Sequence, residues 1–364
     1  MHVVHVGKFY PPEYHGGLES VVVGINDELV RRGVEVTAVV TAVEGSARAD
    51  TWRGVHVVRA GTLGTVLSQP VAPGFARAVH RAGGDLLHLH HPNPLGDWAV
   101  LADRRPLVIT HHSEIVRQRA LRGLYLPLVR RAIARARFVA IGSEQLLSTS
   151  LELRGFEDKA RVIPFGIAPE RFAASDAVRT RAQALRTLWG PRPVVLGVGR
   201  LVGYKGFDIL LDAARGLDVT VVLVGTGPEE RRLRARAGPH TVFAGRVSDE
   251  LLVAYYHACD VFCLPSVTIA EAFGMVLLEA MACGRPLITT ALPTGVSAVN
   301  RDGVTGLRVP PGDRGALREA LRALCADSAR RHAMGDQARA VLAAEYTAEL
   351  MGERYLGLYR EALG

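Results

Sequence analysis

The chain has 364 residues, 48% of them hydrophobic and 22% charged, the balance of a globular protein rather than a disordered one. Its length makes two domains the expectation. A formal net charge of +8 and a pI near 9.6 favour an anionic partner, whether nucleotide, nucleic acid or membrane surface, without choosing among them.

No run of about twenty apolar residues occurs, so no membrane-crossing helix is expected. The start, MHVVHVGKFY, lacks the basic opening and long apolar stretch of a secretory leader and reads as a first core strand. A cytoplasmic location is the expectation. Cys259, Cys263, Cys283 and Cys325 form no CxxC pair and sit in apolar contexts, which points to buried free thiols rather than disulfides or a zinc site.

VVHVG opens the chain as a buried strand, followed by the loop KFYPPEYHGGLES, a helix to Arg32 stopped by Gly33, and the strand EVTAVV. This order of short apolar strands and helices argues for a parallel sheet. Gly16 and Gly17 fall at the mouth of the helix; they are no dinucleotide fingerprint, but they permit close approach of a diphosphate or substrate. DLLHLHH (85–91) and the strand before HHSE (111–114) place His90, His91, His111 and His112 after strand ends, the edge where open α/β sheets hold ligands. Three readings stand for them: a zinc site, for which spacing such as HExxH is absent; contact with a sugar hydroxyl or proton transfer by one ring, His112 first; and structural histidines, His88 included.

Residues 115–137 carry Arg117, Arg119, Arg122, Arg130, Arg131, Arg135 and Arg137 among leucines, with Gly123 and Pro127 suggesting a break or kink. The segment suits either an anionic membrane surface or a solvated face on a core-packed helix. Nucleic acid is disfavoured because aromatic stacking residues are sparse. FVAIGS and RVIPFGI close the first half as strands. The arginine- and alanine-rich stretch 168–186 reads as a linker.

In the second half, PVVLGVGRLVGYKG places Arg200 and Lys205 just past a strand end, where a forked guanidinium and a point-charge ammonium could neutralise a diphosphate. TVFAGRVS ends near Arg246 and Val247, which could border a base. The stretch EAFGMVLLEAMACGRPLITT (271–290) reads as loop, short helix and strand, with Gly284 and Pro286 ending the helix. The helix start, from Phe273 and Gly274 through Met275 and Val276, offers unsatisfied backbone N–H groups to a phosphate. Glu271 and Glu279 would repel a diphosphate and are better suited to accept from sugar or ribose hydroxyls. Residues from about 316 onward have helical period, ending in an amphipathic helix over 346–363.

Together these segments resemble glycosyltransferase family four, through the early GG, GRLVGYKG, FAGRVSDE and the E-x7-E stretch EAFGMVLLEAMACGRP. The resemblance covers nearly the whole chain. It implies the GT-B fold, two doubly wound parallel-sheet α/β domains facing a cleft: an acceptor-side domain over 1–168, with the helix over 343–364 packing back on it, and a nucleotide-sugar domain over 169–342. It also implies the roles: Arg200 and Lys205 on the diphosphate, the backbone of 273–276 around phosphate and sugar, Glu271 on donor-sugar hydroxyls, Glu279 on the ribose, Gly17 and His112 on the donor from the first domain, and Arg246 and Val247 at the base.

HPNP and HHSEIVRQ are similar to bacterial members that move mannose onto lipid-linked polysaccharide precursors, so GDP-mannose is the first expectation for the donor. Retention of anomeric configuration is implied, with front-face attack and the departing phosphate taking the acceptor's proton. No Asp-x-Asp pair occurs, so neither a metal clamp nor another cofactor is expected, and charge on the leaving group falls to Arg200, Lys205 and the helix start. The expected partners are a nucleotide-sugar, a lipid-linked glycan acceptor and, through the arginine segment, an anionic membrane at the inner face of the cell; nucleic acid is not expected. The alternatives are an epimerase-like enzyme on the same fold, a UDP-sugar-dependent transferase, a zinc hydrolase built on the histidines, and a non-catalytic basic binding protein.

Overall fold

The computed structural model describes residues 1–14, 16–66, 69–113 and 119–364, with the side chains of 119–122 and 124 left out. The chain divides into two compact units, one comprising Met1–Gly166 with Ala348–Gly364, the other Ile167–Thr347.

In the first unit the strands are β1 (His2–Val6), β2 (Glu35–Thr41), β3 (Arg48–Trp52), β4 (Val55–Ala60), the short hairpin β5 (Thr65–Val66) and β6 (Gln69–Pro70), β7 (Leu86–His91), β8 (Leu107–His111), β9 (Phe138–Ile141) and β10 (Ala160–Val162). Eight of them form one sheet in the order β10-β9-β8-β7-β1-β2-β4-β3. Every pairing is parallel except β3 on β4. The central strands are buried on both faces, as continuous apolar runs require. The helix Gly17–Arg31 follows β1 and ends before Gly33, whose φ of 75° only glycine adopts freely.

The terminal helix Ala348–Leu363 belongs to this unit. Gly352 lies so close to Glu28 that a Cβ there would sit 2.3 Å from the glutamate's own Cβ. Tyr355 and Tyr359 are fully buried on its inner face.

The second unit carries β11 (Val194–Val198), β12 (Thr220–Val224), β13 (Thr241–Gly245), β14 (Val261–Leu264), β15 (Leu287–Thr290) and β16 (Gly306–Val309), all parallel, in the order β13-β12-β11-β14-β15-β16. This is the doubly wound arrangement in which chain order reverses between two neighbouring strands, here β11 and β14. Val195, Leu223, Val261, Ile288 and Leu321 lie in its core.

Two local expectations are corrected. The stretch read as a linker holds a helix, Asp176–Trp189, capped by Ser175 and packed through Val178, Ala182 and Trp189. Arg179 and Arg181 are exposed, while Arg186 is partly buried and donates to Asp260 at 2.6 Å. Of the break or kink expected at Pro127, the break does not occur: the helix Arg119–Arg135 runs through it. No described helix is long and apolar enough to cross a membrane.

Candidate active site

The reversal point between β11 and β14 organises the second unit's site. After β11 the chain makes a single turn, Gly203–Lys205, ending at Gly206 with φ 68°. A Cβ on Gly206 would lie 2.0 Å from the Pro265 carbonyl oxygen, so only glycine lets this turn reach the segment after β14. The Val267 amide donates to the Tyr204 carbonyl at 2.8 Å and joins the two loops. That contact brings Lys205 and Glu271 together: Nζ lies 2.5 Å from Oε2, and both residues are only 8% exposed. Ser266 Oγ donates to the same carboxylate oxygen at 2.9 Å. Arg200, at the end of β11, is exposed and makes no ion pair among the described residues.

Four residues beyond Glu271 the helix Met275–Ala282 begins. Its cap, Gly274, has φ 79° and no side chain to satisfy the first amides. Phe273 is buried, while Met275 and Val276 are partly exposed at the opening turn. A buried ammonium paired with Glu271, an exposed guanidinium and an uncapped helix start therefore follow the carboxyl ends of the two strands that flank the reversal; the guanidinium and helix start suit an anion, and the Glu271 carboxylate suits a hydroxyl beside it.

Glu279 lies one turn along that helix, and its Oε2 accepts from the Tyr256 hydroxyl at 2.6 Å. Burial raises its pKa above the usual carboxylate range, and the Tyr256 bond opposes the shift. Arg246 is exposed and Val247 partly buried, just after β13.

In the first unit, period-two alternation splits the histidines between the two faces of the sheet. On one face His5 Nδ1 meets His90 Nε2 at 2.9 Å and His90 Nδ1 meets His112 Nε2 at 3.0 Å. On the same face His88 is held by Thr110 Oγ1 at 2.6 Å and the Tyr359 hydroxyl at 2.6 Å. On the other face His91 Nδ1 bonds Asp97 at 3.1 Å, while His91 Nε2 and His111 Nε2 both reach Glu152 Oε2, at 3.0 and 2.7 Å. Tyr125 donates to Asp97.

Burial alone would lower the His91 pKa, but Asp97 and Glu152 outweigh it and raise it to about 10. Two groups could converge on a cation, His5 with His88 and His90, and His91 with His111 and Glu152; each has its ligand atoms within 4.8 Å of one another.

Gly16 caps the helix Gly17–Arg31 in extended conformation, and Gly17 is exposed. The Glu19 carboxylate is buried at this helix start, 2.7 Å from where a Gly16 Cβ would be. A carboxylate there disfavours a phosphate and leaves hydroxyl groups as the better ligand.

Of the arginine segment, Arg117 lies outside the described residues. Arg130 donates to the carbonyls of Leu151, Glu152 and Arg154, and Arg135 to those of Asp103 and Arg105. Arg131 and Arg137 are exposed.

Four hydrogen-bond partners of the candidate residues escaped the sequence reading: Ser266, Tyr256, Glu152 and His5. Ser266 had a signal, its place at a strand end in DVFCLPS. Tyr256 had none, being one of two adjacent tyrosines on a helix, Asp249–Ala258, with nothing local to tell them apart.

Two family models match the chain: Glycosyltransferase Family 4 over residues 15–171 and Glycosyl transferases group 1 over residues 186–341. The O-antigen chain mannosyltransferase C of Escherichia coli is 31% identical, over 100% of this chain and 99% of its own. The chain belongs to glycosyltransferase family 4.

The D-rhamnosyltransferase WbpZ of Pseudomonas aeruginosa is 35% identical over 93% of this chain and 91% of its own. A GDP-mannose-dependent alpha-(1-6)-phosphatidylinositol monomannoside mannosyltransferase of Mycolicibacterium smegmatis is 30% identical over 90% of each. Among solved structures, a sucrose-phosphate synthase from Thermosynechococcus elongatus superposes with TM-score 0.81 at 23% identity, covering 99% of this chain and 98% of the other. Anabaena HepE, in complex with UDP-glucose, does so with TM-score 0.80 at 21% identity, covering 99% and 100%. The fold is GT-B, and this family-4 chain is a glycosyltransferase with mannosyltransferases among its relatives.

Proposed function

We propose that the chain is a retaining hexosyltransferase that moves mannose from GDP-mannose to a lipid-linked or polysaccharide-precursor acceptor. The observation that carries this reading is the Lys205–Glu271 pair beside the uncapped start of Met275–Ala282, with Arg200 exposed at the end of β11. Such a set stabilises a departing nucleoside diphosphate without a metal ion. Arg200 and Lys205 bind the diphosphate, the 273–276 backbone receives phosphate and sugar, and Glu271 orients donor hydroxyls. Glu279 takes the ribose, Arg246 and Val247 border the base, and Gly16, Gly17 and His112 meet the donor sugar through hydroxyl contacts. The acceptor attacks from the face the diphosphate leaves, and the departing phosphate takes its proton.

The relatives' names favour mannose. D-Rhamnose is mannose without its 6-hydroxyl, so a mannosyl and a D-rhamnosyl relative share the configuration at C2, C3 and C4. One relative is GDP-mannose-dependent, which favours guanine as the base; a UDP-sugar donor is the second reading, favoured by the HepE complex. The exposed Arg131 and Arg137 leave a peripheral contact with an anionic membrane as part of the proposal.

A panel of GDP-, UDP-, ADP- and dTDP-sugars, read by donor hydrolysis and by thermal shift, tests it. GDP-mannose should give the largest shift, because a ligand bound only by the folded chain raises apparent stability. A larger shift with a UDP-sugar would replace the donor, and none with any of the four would overturn the transfer reading.

A further inference from the structure

The chain of three rings on one face of the first unit's sheet has a direction. β1, β7 and β8 are neighbours, with His5 in register with His88 and His90 with Thr110, so His5, His90 and His112 share a face. They form a linear run, His5 Nδ1 to His90 Nε2 at 2.9 Å and His90 Nδ1 to His112 Nε2 at 3.0 Å. All three rings are buried, which disfavours an imidazolium, and a charged His90 would donate both ways and leave His5 Nε2 with a buried, unanswered N–H.

A neutral imidazole carries one N–H and one bare nitrogen. His90 therefore donates once and accepts once, and the two bonds must point the same way along the run. Either both hydrogens point toward His112, or both point toward His5.

The far end decides between them. His5 Nε2 is buried and has no hydrogen-bond partner among the described residues. Were the hydrogens directed at His5, that nitrogen would carry a buried, unanswered N–H. In the opposite arrangement it carries only a lone pair, and orphaned buried donors are the rarer and costlier of the two. With both hydrogens running toward His112, its Nε2 accepts from His90 and its own hydrogen sits on Nδ1. That nitrogen makes no hydrogen bond among the described residues, and His112 is 8% exposed at the end of β8.

We propose that His5 and His90 are positioning residues that fix the hydrogen of His112 on Nδ1, so that His112 offers the donor sugar an N–H and accepts no proton from it. This rests on the reading that His112 meets the donor sugar. Under it His112 is a hydrogen-bond donor to a sugar oxygen rather than a general base, since its one lone pair is taken by His90.

Histidine labelled with 15N in the ring, in the full chain without donor, tests the tautomer directly. Long-range 1H–15N correlations distinguish Nδ1–H, Nε2–H and doubly protonated rings, and His112→Gln identifies the signal. His112 should appear as Nδ1–H at pH 7.5; an Nε2–H ring or an imidazolium overturns the proposal. His5→Phe removes the hydrogen supplied to His90, so the His112 signal should move toward a mixture of tautomers; an unchanged Nδ1–H signal overturns the anchoring role of His5. His5→Asn returns an amide N–H near the Nδ1 position and should restore the Nδ1–H form, whereas a persisting mixture counts against hydrogen supply.

In GDP-mannose hydrolysis His5→Phe should lower kcat about 2- to 10-fold, the effect of one neutral hydrogen bond, at unchanged melting temperature. An unchanged kcat overturns the functional part. If no sugar nucleotide is hydrolysed even by the unaltered chain, the transfer reading fails while the tautomer remains measured.

Discussion

Removing Lys205 should cost this protein both catalysis and stability, and the two losses can be separated. Nζ lies 2.5 Å from Glu271 Oε2 with each residue 8% exposed, so solvent does little to screen the pair. Lys205→Ala would leave the Glu271 carboxylate buried with the Ser266 hydroxyl as its remaining described donor. Breaking one side of a buried pair costs about 3–5 kcal/mol. For a unit the size of Ile167–Thr347 that is a fall of roughly 6–20 °C in its melting temperature. Lys205→Met combined with Glu271→Gln removes both charges at similar volume and should melt within a few degrees of the unaltered chain.

Arg200→Ala removes an exposed cation and should leave the melting temperature alone. Turnover should fall about 10²- to 10³-fold in either single variant, as for a lost donor to developing negative charge. Differential scanning calorimetry and donor turnover, assayed well below the lowest transition, separate the effects. A Lys205→Ala protein that melts like the unaltered chain would refute the buried-pair argument; near-normal turnover in both Lys205→Ala and Arg200→Ala would refute the phosphate clamp.

Glu279→Gln should weaken donor affinity about 5- to 30-fold, a loss of ~1–2 kcal/mol, in a titration calorimeter; unchanged affinity would remove Glu279 from the ribose. Transfer should persist in excess EDTA, and activity lost to chelator and restored by a divalent cation would return a metal to the mechanism. The His91 pKa is raised from 6.5 to about 10, so its contribution is complete below pH 6.5 and is lost as pH climbs through about 10, at most ~5 kcal/mol. Melting curves at pH 6.5, 8 and 9.5 should therefore fall more steeply for the unaltered chain than for His91→Gln; parallel slopes would contradict the charged ring.

What the sequence made legible follows from where local chemistry was decisive. Gly274, Gly284 and Pro286 punctuate the E-x7-E stretch, and the helix Met275–Ala282 falls between them. The run of apolar strands each followed by a helix was enough for parallel sheets; their doubly wound order came with the family resemblance. The Lys205–Glu271 contact was not legible, because it depends on Gly206 packing against the Pro265 carbonyl, a meeting of two loops distant in sequence. The helix Asp176–Trp189 was missed because polar residues and alanines dominate its composition while three buried positions hold it in place. Tyr256 became visible as a partner of Glu279 only when the helix Asp249–Ala258 was set beside Met275–Ala282.

The histidines carry the lesson further. His90 and His91 are adjacent, as are His111 and His112, yet alternation sends each pair to opposite faces of one sheet. One face supplies carboxylates, Asp97 and Glu152, and there His91 is held protonated. The other supplies imidazoles, hydroxyls and apolar burial, and there His5, His88, His90 and His112 are held neutral. Residue type and position along the chain do not separate these fates; the neighbours across the strands do. It follows that a motif such as HHSE names two chemically different groups, a ring tied to a buried carboxylate and a neutral ring with one hydrogen to offer. On the tautomer proposed above, the second, His112, is the one that reaches the end of β8 with an N–H to donate to a sugar hydroxyl.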